Sequence, residues 1–175
     1  MVELNAALVA GVREWFDIPR APTVKIRVGE ARGVITAARA ASRDIIIRDV
    51  FADAATPRAL TTCEFFAECA RTLRPGGLYV ANCGDGPGLK NTRAELAGMA
   101  RVFSHLAVIA DPPMLKGRRR GNVVLFGSQE ELPAAHDPAL TRELLGGAVP
   151  AQYHSGSWVR RFIGGAQPLV DAAAS

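Results

Sequence analysis

Two segments decide the fold: Asp44-Ile-Ile-Ile-Arg48 and Leu73-Arg-Pro-Gly-Gly-Leu-Tyr-Val80. The first is a short β-branched run, typical of a strand buried in a parallel sheet. The second joins a helix-stopping Arg-Pro-Gly-Gly to another apolar run at residues 78–81. Between them, Thr62 is expected to cap an amphipathic helix that ends near Leu73. Strand, helix and strand in this order predict a β–α–β unit with parallel strands.

The same alternation continues on both sides of this unit. Asn5 is a plausible N-cap, and apolar residues at helical spacing follow it. The segment 111–121 is expected to contain no helix, so the strands on either side of it are expected to be antiparallel. Helices are predicted at residues 5–16, 31–41, 91–103 and 138–145, and strands at residues 24–28, 106–110 and 122–126.

Repeated strand–helix alternation predicts an α/β sheet covered by helices. A sheet that finishes with an antiparallel strand resembles the class I S-adenosylmethionine-dependent methyltransferase-like fold, which is Rossmann-like. We expect a single domain over residues 1–175, with a core at residues 2–128 and a helical tail at residues 129–175. Trp15 and Phe16, at the end of the first predicted helix, are expected to lie in the core.

Composition excludes several classes of function. The chain has 175 residues and a formal net charge of +4, an excess too small to indicate a nucleic-acid partner. No apolar run is long enough for a membrane helix, so no membrane association is expected. The three cysteines share no CxxC spacing and the three histidines are scattered, so neither a disulfide framework nor a metal site is predicted. A reducing cytoplasm is the simplest location.

One glycine-rich segment is similar to a cofactor motif. Gly84-Asp-Gly-Pro-Gly88 follows a predicted strand and precedes a predicted helix, as the dinucleotide-binding fingerprint does. Its spacing is G-x-G-x-G and Pro87 stiffens it, so nicotinamide or flavin binding is disfavoured.

Specific blocks of the sequence resemble the spermidine synthase family, and more closely its actinobacterial spermidine synthase-like members. The similarity runs from residue 2 to about residue 126. It is carried by Asp44-Ile-Ile-Ile-Arg-Asp-Val-Phe-Ala-Asp53, Thr56-Pro57, Leu60-Thr-Thr-Cys-Glu-Phe-Phe66, Leu73-Arg-Pro-Gly-Gly-Leu-Tyr-Val80 and Asn82.

The resemblance implies a transferase that moves an aminopropyl group from decarboxylated S-adenosylmethionine to a polyamine-type amine. No tightly bound cofactor is expected, because the nucleoside is a co-substrate. Two alternatives remain open. One is methyl transfer from S-adenosylmethionine on the same scaffold. The other is a non-catalytic binding or oligomerisation module, favoured by the apolar Val50-Phe51 inside the Asp49 block.

Three acidic residues, Glu3, Glu30 and Asp49, lie at the carboxyl ends of strands, where ligands bind in open α/β sheets. The strand before Glu3 is implied by the resemblance, in which Val2-Glu-Leu-Asn5 matches the end of the second strand of the family. By resemblance, Asp49 is the proton acceptor of the transfer and Asp53 holds the cationic amine. Glu3 would bind the ribose, and the pair Glu30-Ala31 would bind the adenine. Residue chemistry leaves other roles open. Glu30 is a possible helix N-cap, Asp53 a possible turn residue, and Asp49 a possible ion-pair partner of Arg48.

The resemblance also implies a strand and a glycine-rich loop ahead of the strand that ends at Glu3. That strand lies between the strands ending at Glu3 and Arg48, so its absence would leave two strand edges unpaired. We therefore expect either further coding sequence upstream of Met1 or a chain that binds nucleoside weakly. Unpaired edges also predict a homo-oligomer.

Overall fold

The computed structural model describes residues 1–53 and 55–172. Ala54, inside the Asp49 block, and the last three residues of the predicted tail lie outside the described residues. The chain forms two compact units, Met1–Arg39 and Ala40–Ser175. We call them the first and second unit.

The first unit contains two short strands and two helices. Strands β1 (Val2–Glu3) and β2 (Arg27–Val28) pair in parallel. Helix α1 spans Ala6–Trp15 and helix α2 spans Ala31–Thr36. β2 and α2 are shorter than predicted.

Asn5 caps α1 as predicted, because its Oδ1 accepts from the backbone N–H groups of Ala7 and Leu8 at 2.9 and 3.1 Å. The expectation that Trp15 and Phe16 are core residues is wrong: they are 67% and 61% exposed. The Trp15 ring lies over Gly11 of its own helix, where an added Cβ would meet it at 2.8 Å. Helical spacing identified an apolar face, but α1 packs little of that face into a core.

The second unit is built on one five-stranded sheet in the order β3-β4-β6-β5-β7. β3 and β4 are parallel, and the other three pairs are antiparallel. The strands are β3 (Arg43–Arg48), β4 (Leu73–Asp85), β5 (His105–Ala110), β6 (Gly121–Ser128) and β7 (Gln152–Ser155). The predicted fold class is confirmed, since this is a mixed α/β unit whose sheet contains parallel and antiparallel strands.

Helices of the second unit are α3 (Cys63–Thr72), α4 (Lys90–Met99), α5 (Pro112–Leu115), α6 (Pro138–Gly146) and α7 (Ser157–Ile163). Thr62 caps α3 as predicted, since its Oγ1 accepts from the Phe65 N–H at 3.3 Å. The core packs Tyr79 of β4 against Phe66 of α3 and against Phe103, with ring centroids 5.8 and 5.7 Å apart.

Two segments differ from the prediction. The connection between β5 and β6 contains α5, which begins after Asp111 and has Pro at its first positions. The strands around it are nevertheless antiparallel, as expected. The predicted helical tail also supplies a strand, β7, which pairs with β5. The β7 residues 152–155 show little strand pattern in sequence, so β7 depends on pairing with β5.

None of the helices in the described part of the chain is long and apolar enough to cross a bilayer. Among residues 1–53 and 55–172, no group of three or more His, Cys, Asp or Glu side chains is arranged to hold a metal ion.

Candidate functional site

The carboxyl ends of β3 and β4 bring Asp49 beside Asn82. Arg48 pairs with Ala81 in the parallel register, so the residues that follow each of them are neighbours. Asn82 Nδ2 donates to Asp49 Oδ1 at 3.0 Å. Asp49 Oδ2 has no partner within the described residues. The exposed Asp49 carboxylate is therefore oriented on one side and open to a ligand on the other.

Arg48 lies beneath this pair and is 3% exposed. Its Nη2 donates to Glu95 Oε2 at 2.7 Å and to the Asn82 carbonyl at 3.3 Å. Its Nη1 donates to the Leu60 carbonyl at 3.3 Å. The ion pair between Asp49 and Arg48, left open above, is not formed, because Arg48 points into the unit and pairs with Glu95 of α4.

Burial and mutual attraction together shift the pKa values of Arg48 and Glu95. Burial raises the pKa of Glu95, and the Arg48 guanidinium offsets only part of that rise. Burial alone would lower the pKa of Arg48, but the Tyr79 hydroxyl and the Glu95 carboxylate raise it by more. Arg48 is thus a fixed cation under the site. Among the described residues, the buried atoms Arg48 Nε, Tyr79 Oη and Asn82 Oδ1 have no hydrogen-bond partner.

Asp53 lies in a tight turn. Ala52 and Ala55 exchange backbone hydrogen bonds of 2.9 and 3.2 Å. Asp53 has φ +55°, in the left-handed region that Asp tolerates better than most residues. The alternative in which Asp53 is a turn residue therefore matches its backbone, and its side chain still lines a cleft.

That cleft is open and has a volume of about 650 Å³. We call it the acidic cleft, because it contains two carboxylates, Asp53 and Asp85. Phe51 and Arg120 also line it, whereas Asp49 does not. The structure thus brings Asp53 together with Asp85, and Asp49 together with Asn82.

Asp85 was not among the predicted site residues. Asp85 ends β4, and its carboxylate accepts from the Gly86 N–H at 2.8 Å and from the Thr92 N–H and hydroxyl at 2.8 and 2.9 Å. It therefore fixes the start of α4. Its place in Gly84-Asp-Gly-Pro-Gly88, between a predicted strand and a predicted helix, was the signal that could have found it.

The first unit holds Glu3 and Glu30 at the carboxyl ends of its two strands, where the Gly29 N–H donates to the Glu3 carbonyl at 3.0 Å. Glu3 Oε1 accepts from the Asn5 N–H at 2.8 Å. Glu30 caps α2, accepting from the Arg32 and Gly33 N–H groups at 2.8 and 2.7 Å. The N-cap alternative for Glu30 is thus observed, and Ala31 is the first residue of that helix.

The strand order defines the class of the protein. An antiparallel strand, β6, lies between β4 and β5, and this mixed sheet is the class I methyltransferase-like fold. Human methyltransferase-like protein 13, solved with SAH, matches 98% of this chain and 73% of its own, with a TM-score of 0.61 and 20% identity. A spermidine synthase solved with the transition-state analogue AdoDATO matches 81% of this chain and 50% of its own, with a TM-score of 0.61 and 17% identity.

The resemblance to the spermidine synthase family is confirmed. A probable spermidine synthase from Corynebacterium glutamicum is 60% identical over 99% of this chain, with a TM-score of 0.95. This chain covers 63% of the length of that protein. No family model matches the sequence, and no curated protein matches it.

Proposed function

We propose that the protein transfers an aminopropyl group from decarboxylated S-adenosylmethionine to a polyamine-type amine. The observation that supports this most directly is the placement of Asp49 at the carboxyl end of β3, oriented by Asn82. The 60% identity to a probable spermidine synthase supports the same reaction class.

The reaction needs an amine with a free lone pair. The amine nitrogen attacks the aminopropyl carbon bonded to the sulfonium. A C–N bond forms, the C–S bond breaks, and its electron pair stays on sulfur as methylthioadenosine leaves. The new ammonium group loses one proton, which Asp49 accepts through its unpaired Oδ2 and passes to solvent.

Because Asp49 does not line the acidic cleft, the cleft is the proposed site for the ammonium group of the acceptor that does not react. Carboxylates hold alkylammonium groups by charge-assisted hydrogen bonds, and Asp53 and Asp85 both line the cleft. Arg120 and Phe51 make it less suited to a long polycation than an all-acidic groove. We therefore propose a short amine as the acceptor.

The first unit supplies the proposed nucleoside ligands. Glu3 Oε2 has no partner within the described residues, so it is free to accept from ribose hydroxyls. Glu30 and Ala31 are proposed to contact the adenine, although Glu30 also caps α2. The AdoDATO and SAH bound by two neighbours of the same fold belong to the same class of adenosine-sulfur ligands.

Asp49→Asn tests the proposal. Transfer to a diamine should fall by roughly two to four orders of magnitude, because the proton acceptor is lost. Calorimetric titration should show that methylthioadenosine binding survives. Asp44→Asn is the matched control, since Asp44 lies at the start of the same strand in an exposed pair with Arg74. Equal transfer rates in both variants would remove Asp49 from the mechanism.

Phe51, which lines the acidic cleft, favours a second candidate, a non-catalytic binding module. Neither transfer nor methylation with S-adenosylmethionine as donor would then be detected.

A homo-oligomer and a cytoplasmic location stay predictions. For the former, the edge strand β3 exposes Ile45 and Ile47, which are 57% and 71% exposed.

A further inference from the structure

A second cleft lies between the first turns of α4 and the end of α7, and its volume is about 580 Å³. We call it the basic cleft. Three cationic side chains line it: Lys90, Arg93 and Arg161. No carboxylate within the described residues lines it.

The three cations have no acidic partners in the part of the chain that the structure describes. Other arginines in the described part of the chain do pair with carboxylates, among them Arg48, Arg71, Arg74 and Arg119. Like charges that line one cleft repel each other and raise the local positive potential. An anion bound there would relieve this repulsion and gain three charge-assisted contacts.

Arg93 is held in place for such a role. Its guanidinium carbon lies 5.1 Å from the centre of the Phe162 ring. Phe162 is itself stacked on Trp158, with ring centroids 4.8 Å apart. A guanidinium that lies over an aromatic ring contacts the ring with its flat face. The N–H donors at the edge of the guanidinium therefore remain available to a ligand. Less side-chain entropy is then lost when a ligand binds.

The backbone around the basic cleft leaves room for a ligand. Gly88 and Gly165 line it, and a Cβ added to either would meet nothing within 4 Å. Leu89, at the N-cap of α4, provides no side-chain acceptor, and the Thr92 N–H in the first turn donates instead to Asp85, which does not line the basic cleft. The positive charge of the cleft therefore comes from its three cationic side chains.

We propose that the basic cleft binds a small anion that carries at least two phosphate groups. Planar guanidinium groups match phosphate oxygens in pairs, and Lys90 adds a point charge. The volume exceeds the needs of one phosphate, and three cations balance several negative charges. This site is separate from the acidic cleft and does not depend on the proposed transferase activity.

Calorimetric titration of the full chain with inorganic pyrophosphate and tripolyphosphate at low ionic strength tests the proposal. Neither probe contains a nucleoside, so binding at a nucleoside site does not interfere. We expect saturable binding that weakens as salt is added. Arg93→Gln and Arg161→Gln should each weaken it by about tenfold or more. Arg101→Gln, an exposed cation that does not line the cleft, should leave it unchanged.

A steric variant tests the location without removing charge. Gly165→Leu projects a side chain into open space and should weaken pyrophosphate binding while the unfolding midpoint stays the same. Absence of saturable binding would overturn the proposal, and so would equal losses in Arg101→Gln and Arg161→Gln. Binding of a single-stranded oligonucleotide without binding of pyrophosphate would also overturn it.

Discussion

At the residue scale, Arg48 organises the polar end of the sheet. Its guanidinium joins β3 to the Asn82 carbonyl, to the turn that ends at Leu60 and to Glu95 of α4. Asn82 in turn orients Asp49. A buried charge without a partner is costly, so this arrangement depends on Glu95.

Removing the Glu95 side chain should therefore strongly destabilise the fold. We expect Glu95→Ala to lower the free energy of unfolding by about 3–5 kcal/mol, because it leaves Arg48 buried and unpaired. Denaturant unfolding followed by circular dichroism measures the change. Glu68→Ala is the control, since its pair with Arg71 is 30% and 37% exposed and should contribute less than about 1 kcal/mol. Similar decreases in the free energy of unfolding of the two variants would show that burial of the ion pair does not determine the destabilisation.

At the element scale, the connection between β5 and β6 depends on Asp111. Its carboxylate accepts from the Met114 N–H at 3.1 Å, capping α5, and from Arg119 Nη2 at 2.6 Å. Burial alone would raise the pKa of Asp111, but the bonds from Arg119 and Met114 lower it by more. The ionised form is therefore favoured by folding.

Asp111→Ala should lower the free energy of unfolding by about 0.5–2 kcal/mol near neutral pH. A carboxyl group whose pKa is lower in the folded protein stabilises the fold at pH values above its pKa in the unfolded chain. This stabilisation is lost as the pH falls through the pKa of the folded protein. The difference between the native chain and the variant should thus shrink below about pH 4. Thermal unfolding at several pH values measures it.

Asp44→Ala, which removes an exposed pair with Arg74, is the control and should change stability little at any pH. A stability difference between the native chain and Asp111→Ala that stays constant down to low pH would contradict the role assigned to the charge of the Asp111 carboxylate.

At the scale of the whole molecule, the two units differ in how much they bury. In the helices of the first unit, Gly11 is the one buried residue among those described. The second unit contains the large buried side chains, such as Phe66, Tyr79 and Leu125. A unit of about 40 residues with so small a core has little stability of its own.

Hydrogen exchange should therefore separate the units. Amides of α1 and α2 are expected to exchange orders of magnitude faster than those of β4, β5 and β6, since local opening costs little where few apolar contacts form. Mass spectrometry of peptic fragments measures this. Equal protection of α1 and β6 would contradict the prediction and indicate that the chain opens as one cooperative unit.

Several elements could be predicted because their signals are local. The caps at Asn5 and Thr62 bond to residues two or three positions along the chain, and the apolar runs of β3, β5 and β6 match strand periods. The positions of Asp49 and Asp53 after β3 followed from the same pattern. The resemblance carried in these blocks was specific enough to indicate the family.

Long-range packing decided the rest. Arg48 and Glu95 lie 47 residues apart, and no local pattern shows that they meet. β7 has little strand character of its own and exists because β5 offers it a free edge. Asp53 and Asp85 share a cleft because the turn after β3 and the end of β4 fold over the same edge of the sheet. Such contacts depend on which surfaces are buried together, and periodicity along one chain does not contain that information.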